Sequence, residues 1–236
     1  MKQIINFSGG KDSTAMLHLM LERGEQIDDV IFFDGGWEWP QMYDHIELVE
    51  KKTGIKISRV KPDKPFDYWF SEHSFLSKKY GPNKGYGWPS PTNRWCTGLK
   101  VKTITQYLKC NYLFQDVVQC VGFAVGEERR TKRRTVPHLR FPLIEYNYDE
   151  KECLKYCFHL GYSWDGLYEY IDRVSCFCCP LQNKKECLIK KRHFPEIWQK
   201  IKEMDQRYKQ PFEGCKYGFF RTDKTFTEFD GELRGK

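Results

Sequence analysis

Apolar positions in the first sixty residues switch between two periods. Gln3 to Phe7 form a short apolar run that stops at Ser8-Gly9-Gly10, after which Ala15, Met16, Leu19 and Met20 recur at helical spacing. The pattern predicts strand, loop and helix, with Gly24 just past the helix end. Asp29 to Asp34 is a continuous apolar run of the length expected for a parallel strand buried on both faces. Pro40 suits the first turn of a second helix carrying Met42, Ile46 and Val49 as far as Gly54, and Ile55 to Val60 offers a third strand. The β-α-β-α-β order predicts an α/β, Rossmann-like fold. Its parallel sheet is flanked by helices and binds ligands at the carboxyl ends of its strands.

Beyond residue 60 the pattern changes. Lys61 to Asn93 is rich in Pro, Gly and aromatics, and the stretch KKYGPNKGYGWPSPTNRW holds too many breakers for a regular element, so a long loop is expected. Val101 to Leu108 reads as a helix and Val117 to Phe123 as a further core strand, followed directly by the basic run Arg129 to Arg134. Helices are expected over Asp149 to Leu160 and Pro195 to Tyr208, on either side of the cysteine-dense RVSCFCCP. There is no internal repeat and no low-complexity linker. One domain over 1–236 is expected, with an α/β core over 1–145 and a helical C-terminal extension over 146–236 that holds the cysteines.

With 236 residues, 40% hydrophobic and 30% charged, the chain can bury a sizeable core and falls outside the collagen-like and disordered classes. No apolar run approaches the roughly 20 residues of a membrane span, and the first apolar stretch breaks too early for a signal peptide, so a cytoplasmic protein away from membranes is expected. The net charge of +7 favours anionic ligands, nucleotides and nucleic acids alike. Ten cysteines in a reducing compartment point to metal or sulfur chemistry before disulfides. Six of them, Cys110, Cys120, Cys153, Cys157, Cys187 and Cys215, stand apart from any motif and are assigned to packing.

The hexapeptide SGGKDS, Ser8, Gly9, Gly10, Lys11, Asp12 and Ser13, sits between the first strand and first helix, where exposed N–H groups and the helix dipole favour an anion. Two glycines allow close approach of phosphate, Lys11 supplies a mobile positive charge, and Ser8 and Ser13 supply hydroxyls. Neither the G-x-x-x-x-G-K-[ST] nor the G-x-G-x-x-G pattern is present here. SGGKDS resembles the PP-loop of the adenine nucleotide alpha hydrolase superfamily. Three further segments, FFDGGWEWPQMYDHI, RWCTGLKVKTI and CVGFAVGEERRTKRR, resemble in order the strand-end, Arg-x-Cys and Gly-Ile-Arg-x-x-Glu segments of phosphoadenosine phosphosulfate (PAPS) reductases. The similarity continues through RFPLIEYNYDEKECLKYCFHLGYSWDGLY. It implies a HUP-type fold and membership of the short, phage- or mobile-element-borne PAPS reductase-like group. Three features depart from those reductases: no cysteine follows Cys215, Gly35 stands where they have Thr, and Gly126 stands where many have Asp.

RVSCFCCP places Cys176, Cys178 and Cys179 within one turn, a spacing that lets two thiolates reach one metal. The resemblance implies that Cys96 of RWCT approaches this segment. Cys96, Cys176, Cys178 and Cys179 are therefore candidate ligands of a [4Fe-4S] cluster or of zinc, with a transient disulfide at Cys96, or simple burial, as the other readings. Arg94, Lys100, Arg129, Arg133 and Arg134 are candidate phosphate partners, against the bland reading of a solvated basic loop. Asp34, Glu38 and Glu127 are the carboxylates at the expected strand ends that would hold Mg²⁺ on a nucleotide, or else serve the helix termini. Trp37, Trp39 and Trp88 stack a base or fill the core, and His18 and His193 receive no role.

The expected function is an enzyme that uses ATP or a PAPS-type adenosine nucleotide, with Lys11 and Cys96 as its catalytic candidates. It cleaves at the α-phosphate and couples ATP adenylation to sulfur transfer, or acts on a sulfonucleotide. A sulfur carrier or a nucleic acid is the expected partner. The alternative is a non-catalytic nucleotide-sensing or nucleic-acid-binding module on the same fold.

Overall fold

The computed structural model describes residues 1–132 and 138–233; Arg133 and Arg134 lie outside the described residues. Its strands are β1 (Lys2–Phe7), β2 (Asp29–Phe33), β3 (Ser58–Val60), β4 (Ser74–Ser77), β5 (Gly81–Lys84), β6 (Val117–Val121) and β7 (Leu139–Arg140). The helices are α1 (Lys11–Glu22), α2 (Pro40–Thr53), α3 (Phe66–Ser71), α4 (Trp95–Asn111), α5 (Glu128–Thr131), α6 (Pro142–Glu145), α7 (Glu150–His159), α8 (Leu167–Tyr170), α9 (Lys184–His193), α10 (Pro195–Arg207) and α11 (Phe226–Glu232). Among the described residues no helix is long and apolar enough to cross a membrane.

The chain forms two compact units. Unit 1 comprises Met1–Asp34, Glu38–Val60 and Lys102–Val174. Residues 146–174, grouped by the sequence with the cysteine segment, belong to this unit. Its sheet has the order β3-β2-β1-β6-β7, and every pairing is parallel. Ile4, Ile5, Val30, Ile31 and Phe32 are buried, as continuous apolar runs in a parallel sheet require. This is the expected Rossmann-like HUP architecture, with helices against the sheet. The chain leaves β1 toward β2 on one side and later returns to β6 on the other. The carboxyl end of β1 is therefore the topological switch point, where such sheets place their ligands. Helix α2 begins with Pro40 at its first turn and closes on Gly54 in the left-handed region, as its sequence signals predict.

Unit 2 comprises Gly35–Trp37, Lys61–Val101 and Ser175–Lys236. Its core is aromatic: Trp37 lies 5.2 Å from Phe66, 5.7 Å from Phe70 and 5.6 Å from Trp95 in edge geometry, and Trp88 meets Phe70 at 4.8 Å. Trp88 donates its indole N–H to Asp205 at 2.7 Å. Trp37 and Trp88 here, and Trp39 in unit 1, are all buried, so packing is the reading that holds for each. Gly35 is small for the same reason, since a Cβ there would stand 2.7 Å from the Phe66 ring.

Two expectations need correction. The segment 61–93 is not one long loop: it contains α3 and the antiparallel β4–β5 hairpin. Gly81 and Pro82 open β5, and Gly85, with φ +79, follows its end, where a Cβ would lie 2.2 Å from the Phe70 carbonyl. Cys110, assigned to packing, is exposed near the end of α4, whereas Cys120, Cys153, Cys157, Cys187 and Cys215 are buried as expected.

Candidate functional site

The loop from Ser8 to Ser13 stands at the switch point of unit 1. Gly9 has φ +77, a left-handed conformation that favours glycine, and a Cβ there would meet Met42 Cε at 2.7 Å. Gly10 is the N-cap of α1 and offers no side-chain cap, so the first-turn N–H groups depend on acceptors from outside the helix. Ser13 draws the bend together: its hydroxyl donates to the Gly10 carbonyl at 3.0 Å, accepts the Ser8 N–H at 3.2 Å and lies 3.0 Å from the Ser8 hydroxyl. The Trp164 indole donates to the Gly9 carbonyl at 2.7 Å, and the Tyr168 hydroxyl accepts the Lys11 N–H at 2.8 Å. These contacts fix a concave bend whose remaining N–H groups and helix dipole suit an anion.

The charges around the bend are paired among themselves. Lys11 is 4% exposed, so its ammonium is held rather than mobile. It lies 2.8 Å from Glu150 Oε2 and 3.5 Å from Asp12 Oδ2. Glu150 reaches it from the first turn of α7, which is fixed by a reciprocal capping box between Asp149 and Glu152. Burial, with Glu150 and Glu127 adding to it, lifts the Asp12 carboxyl from 3.8 to about 6 against the opposing pull of Lys11. Burial also works on Glu150, but the hydrogen bond and charge of Lys11 outweigh it and hold that carboxyl below the usual range. Asp12 Oδ1 is buried without a hydrogen-bond partner among the described residues, the kind of orphaned oxygen that a hard cation beside phosphate would take.

The other predicted nucleotide contacts are placed as follows. Asp34 follows β2 and accepts a hydrogen bond from the Tyr43 hydroxyl at 2.8 Å. Glu127 accepts from the Ala124 N–H at 3.3 Å and pairs with Arg130 and with Arg173. Arg129 is exposed on α5, and Arg133 lies outside the described residues. Lys100 is exposed on α4 in unit 2, one helical turn after Cys96.

In unit 2 the cysteine segment forms a tight turn. The Cys179 N–H donates to the Cys176 carbonyl at 3.1 Å, and the Phe177 N–H to the Trp37 carbonyl at 3.0 Å. Cys96 belongs to the first turn of α4. Burial pushes the Cys96 thiol up, with Cys179 nearby adding to it, and burial likewise pushes up Cys179. Lys190 is wholly buried and donates to the Phe177 carbonyl at 2.8 Å, while Arg221 donates to Cys187 Sγ at 3.2 Å. Among the described residues, no three His, Cys, Asp or Glu side chains stand in a metal-holding arrangement. The [4Fe-4S] and zinc readings thus gain no support from the described residues.

Several site residues escaped the sequence reading. Glu150, Trp164 and Tyr168 reach the loop, and Arg130 and Arg173 pair with Glu127. The signal for Trp164 and Tyr168 is the SWDG turn, where Trp164, Asp165 and Gly166 all take positive φ. His45, which no motif marks, is buried, lies 2.9 Å from the Thr14 hydroxyl and stacks on Trp164 at 4.2 Å.

A family model for the phosphoadenosine phosphosulfate reductase domain matches residues 2–185. An uncharacterized protein of Methanocaldococcus jannaschii is 29% identical over 214 residues, 87% of this chain and 42% of the relative. A second uncharacterized protein of that organism is 26% identical over 229 residues, 92% of this chain and 50% of the relative. The chain thus spans half or less of the length of these curated relatives. Among solved structures it is similar to a predicted subunit of tRNA methyltransferase from Methanocaldococcus jannaschii, at 18% identity and a TM-score of 0.39, over 90% of this chain and 94% of that one.

Proposed function

The chain belongs to the phosphoadenosine phosphosulfate reductase domain family, and on that premise we propose that it is an adenosine-nucleotide-dependent enzyme that cleaves at the α-phosphate, coupling ATP adenylation to sulfur transfer. The observation that carries this reading is the Ser8–Ser13 bend at the sheet's switch point, with a left-handed Gly9, an uncapped helix start and a buried lysine. On nucleotide binding the phosphate oxygens take the Lys11, Asp12 and Ser13 N–H groups, the first given up by the Tyr168 hydroxyl, and the Ser8 hydroxyl. Lys11 exchanges its Glu150 partner for phosphate and offsets the charge that develops as the α-phosphorus is attacked. An acceptor oxygen forms the new bond to the α-phosphorus and pyrophosphate leaves; a sulfur nucleophile then displaces AMP. Asp12 is the residue that would hold Mg²⁺, which when bound neutralises the phosphate oxygens. Cys96, Cys176, Cys178 and Cys179 are the proposed sulfur-handling thiols, and no step here runs through a metal cluster.

The test is product analysis with MgATP, a sulfide donor and candidate acceptors, beside a parallel incubation with PAPS. AMP and pyrophosphate in equal amounts support adenylation. Sulfite from PAPS would move the activity to reduction, and ADP with phosphate would exclude both. Lys11→Ala is expected to weaken ATP binding about 10- to 100-fold, the effect of losing one charge-assisted contact; unchanged affinity would remove the loop from the reading.

A further inference from the structure

The nucleotide reading leaves unused the most aromatic part of unit 2, the β4–β5 hairpin and the chain around it. Half-buried rings follow one another there at short range. Trp69 lies 4.5 Å from His73, His73 stacks parallel to Phe75 at 5.9 Å, Phe75 lies 4.7 Å from Tyr86, and Tyr80 lies 5.1 Å from Tyr217. Lysines are interleaved with them, Lys64 over the Tyr68 ring at 5.7 Å and Lys79 over Tyr80 at 5.0 Å. Residues 61–94 carry six lysines and arginines, all exposed, against three carboxylates, one of which, Asp67, is paired with Arg207. Beside the hairpin is an open cleft of about 610 Å³ bordered by Phe75, Leu76, Asn83, Lys84 and Lys209. Leu76 is 79% exposed, an unusual position for so large an apolar side chain. Asn83 is 6% exposed, and neither atom of its carboxamide has a hydrogen-bond partner among the described residues.

We propose that this face of unit 2 binds a single-stranded stretch of nucleic acid, with an unpaired base in the cleft against Phe75 and flanking phosphates on Lys84 and Lys209. Lysines alone would suit any polyanion. The rings select a partner with planar faces to stack, and only unpaired bases offer theirs. The cleft lies within the roughly 300–1,000 Å³ of small-ligand sites, enough for one base and its sugar. Asn83 brings the paired donor and acceptor that read a base edge. A second copy of this chain is disfavoured as occupant because it would bring the same positive charge.

The test is fluorescence anisotropy of the full chain with a labelled 20-nucleotide single strand, as RNA and as DNA of the same sequence, over a series of KCl concentrations. The duplex and polyglutamate serve as competitors. Binding of either single strand supports the proposal, and the ratio between them shows which sugar the site prefers. Phe75→Ala is expected to weaken binding about 5- to 100-fold, the range for loss of one stacked base, and Phe75→Trp to restore it. Lys84→Gln with Lys209→Gln, both exposed and so harmless to folding, should reduce the slope of log affinity against log salt by about 1.4. The proposal is overturned if no single strand binds at low salt, if duplex or polyglutamate competes as well as single strand, or if the lysine pair leaves the slope unchanged. Excess MgATP should leave the oligonucleotide bound; full displacement would return the binding to the nucleotide loop. Failure of ATP to bind anywhere would leave this result standing, so the two readings fail separately.

Discussion

Asp12 offers the sharpest test of the site's electrostatics. Its side chain is 17% exposed, and burial raises its carboxyl from 3.8 to about 6. That gap corresponds to about 3 kcal/mol. Below pH 3.8 the group is protonated in both folded and unfolded chains and contributes nothing. As pH rises toward 6 the unfolded chain releases a proton that the folded chain keeps, so stability falls, and above 6 the loss is complete. Asp12→Asn never ionises. The stability of the variant minus that of the wild type should therefore grow by about 2.5 kcal/mol between pH 4 and pH 7.5 and then level off. His45 opposes this in the same window: burial lowers its imidazole from 6.5 to about 3, so acid drives proton uptake by the unfolded chain and stability rises with pH. The wild-type curve alone cannot separate the two, but the difference curve cancels the histidine. Urea unfolding followed by tryptophan fluorescence at half-unit pH steps would supply it. A difference that stays flat, or shrinks with pH, would refute the assignment of Asp12 as the strained carboxylate.

Gly9→Ala should destabilise the protein by about 1–3 kcal/mol and abolish ATP binding, because it forces a side chain into a left-handed backbone 2.7 Å from Met42. Gly10→Ala, at φ −78, should cost less than about 1 kcal/mol of stability and still weaken nucleotide binding; thermal melts and calorimetric titrations that rank the two alike would contradict the loop geometry. Tyr168→Phe removes the hydroxyl that accepts the Lys11 N–H, so melting should show a loss of about 1 kcal/mol. ATP affinity should rise at the same time, and an affinity that falls would mean that the hydroxyl assists phosphate instead of competing with it.

What the sequence disclosed of the fold was whatever depends on local pattern. The Gln3–Phe7 and Asp29–Asp34 runs are β1 and β2 because strands buried on both faces leave a continuous apolar record, and Pro40 and Gly54 bracket α2 as chain chemistry demands. The hairpin escaped because its strands are four residues long and the second opens with Gly-Pro, too short for a period of two to register. It is held by rings from distant segments, including Tyr217, and nothing local to residues 74–84 encodes that support.

The loop itself was legible for the same reason as β1: six consecutive residues carry it. Its electrostatics were not, because the groups that set them arrive from elsewhere in unit 1. Lys11 read alone is a mobile cation; with Glu150 at 2.8 Å, 139 residues later in the chain, it is one half of a pair. That changes the expected energetics of binding. A phosphate arriving at a loose lysine gains the whole attraction, whereas here it gains only the difference between its own contact and that of Glu150, and it also displaces the Tyr168 hydroxyl from the helix start. Nucleotide affinity should therefore depend on Glu150 and Tyr168 as strongly as on the loop. Glu150→Gln should tighten ATP binding measured by calorimetry, and a weaker affinity would show that the carboxylate positions Lys11 for phosphate and does not compete for it.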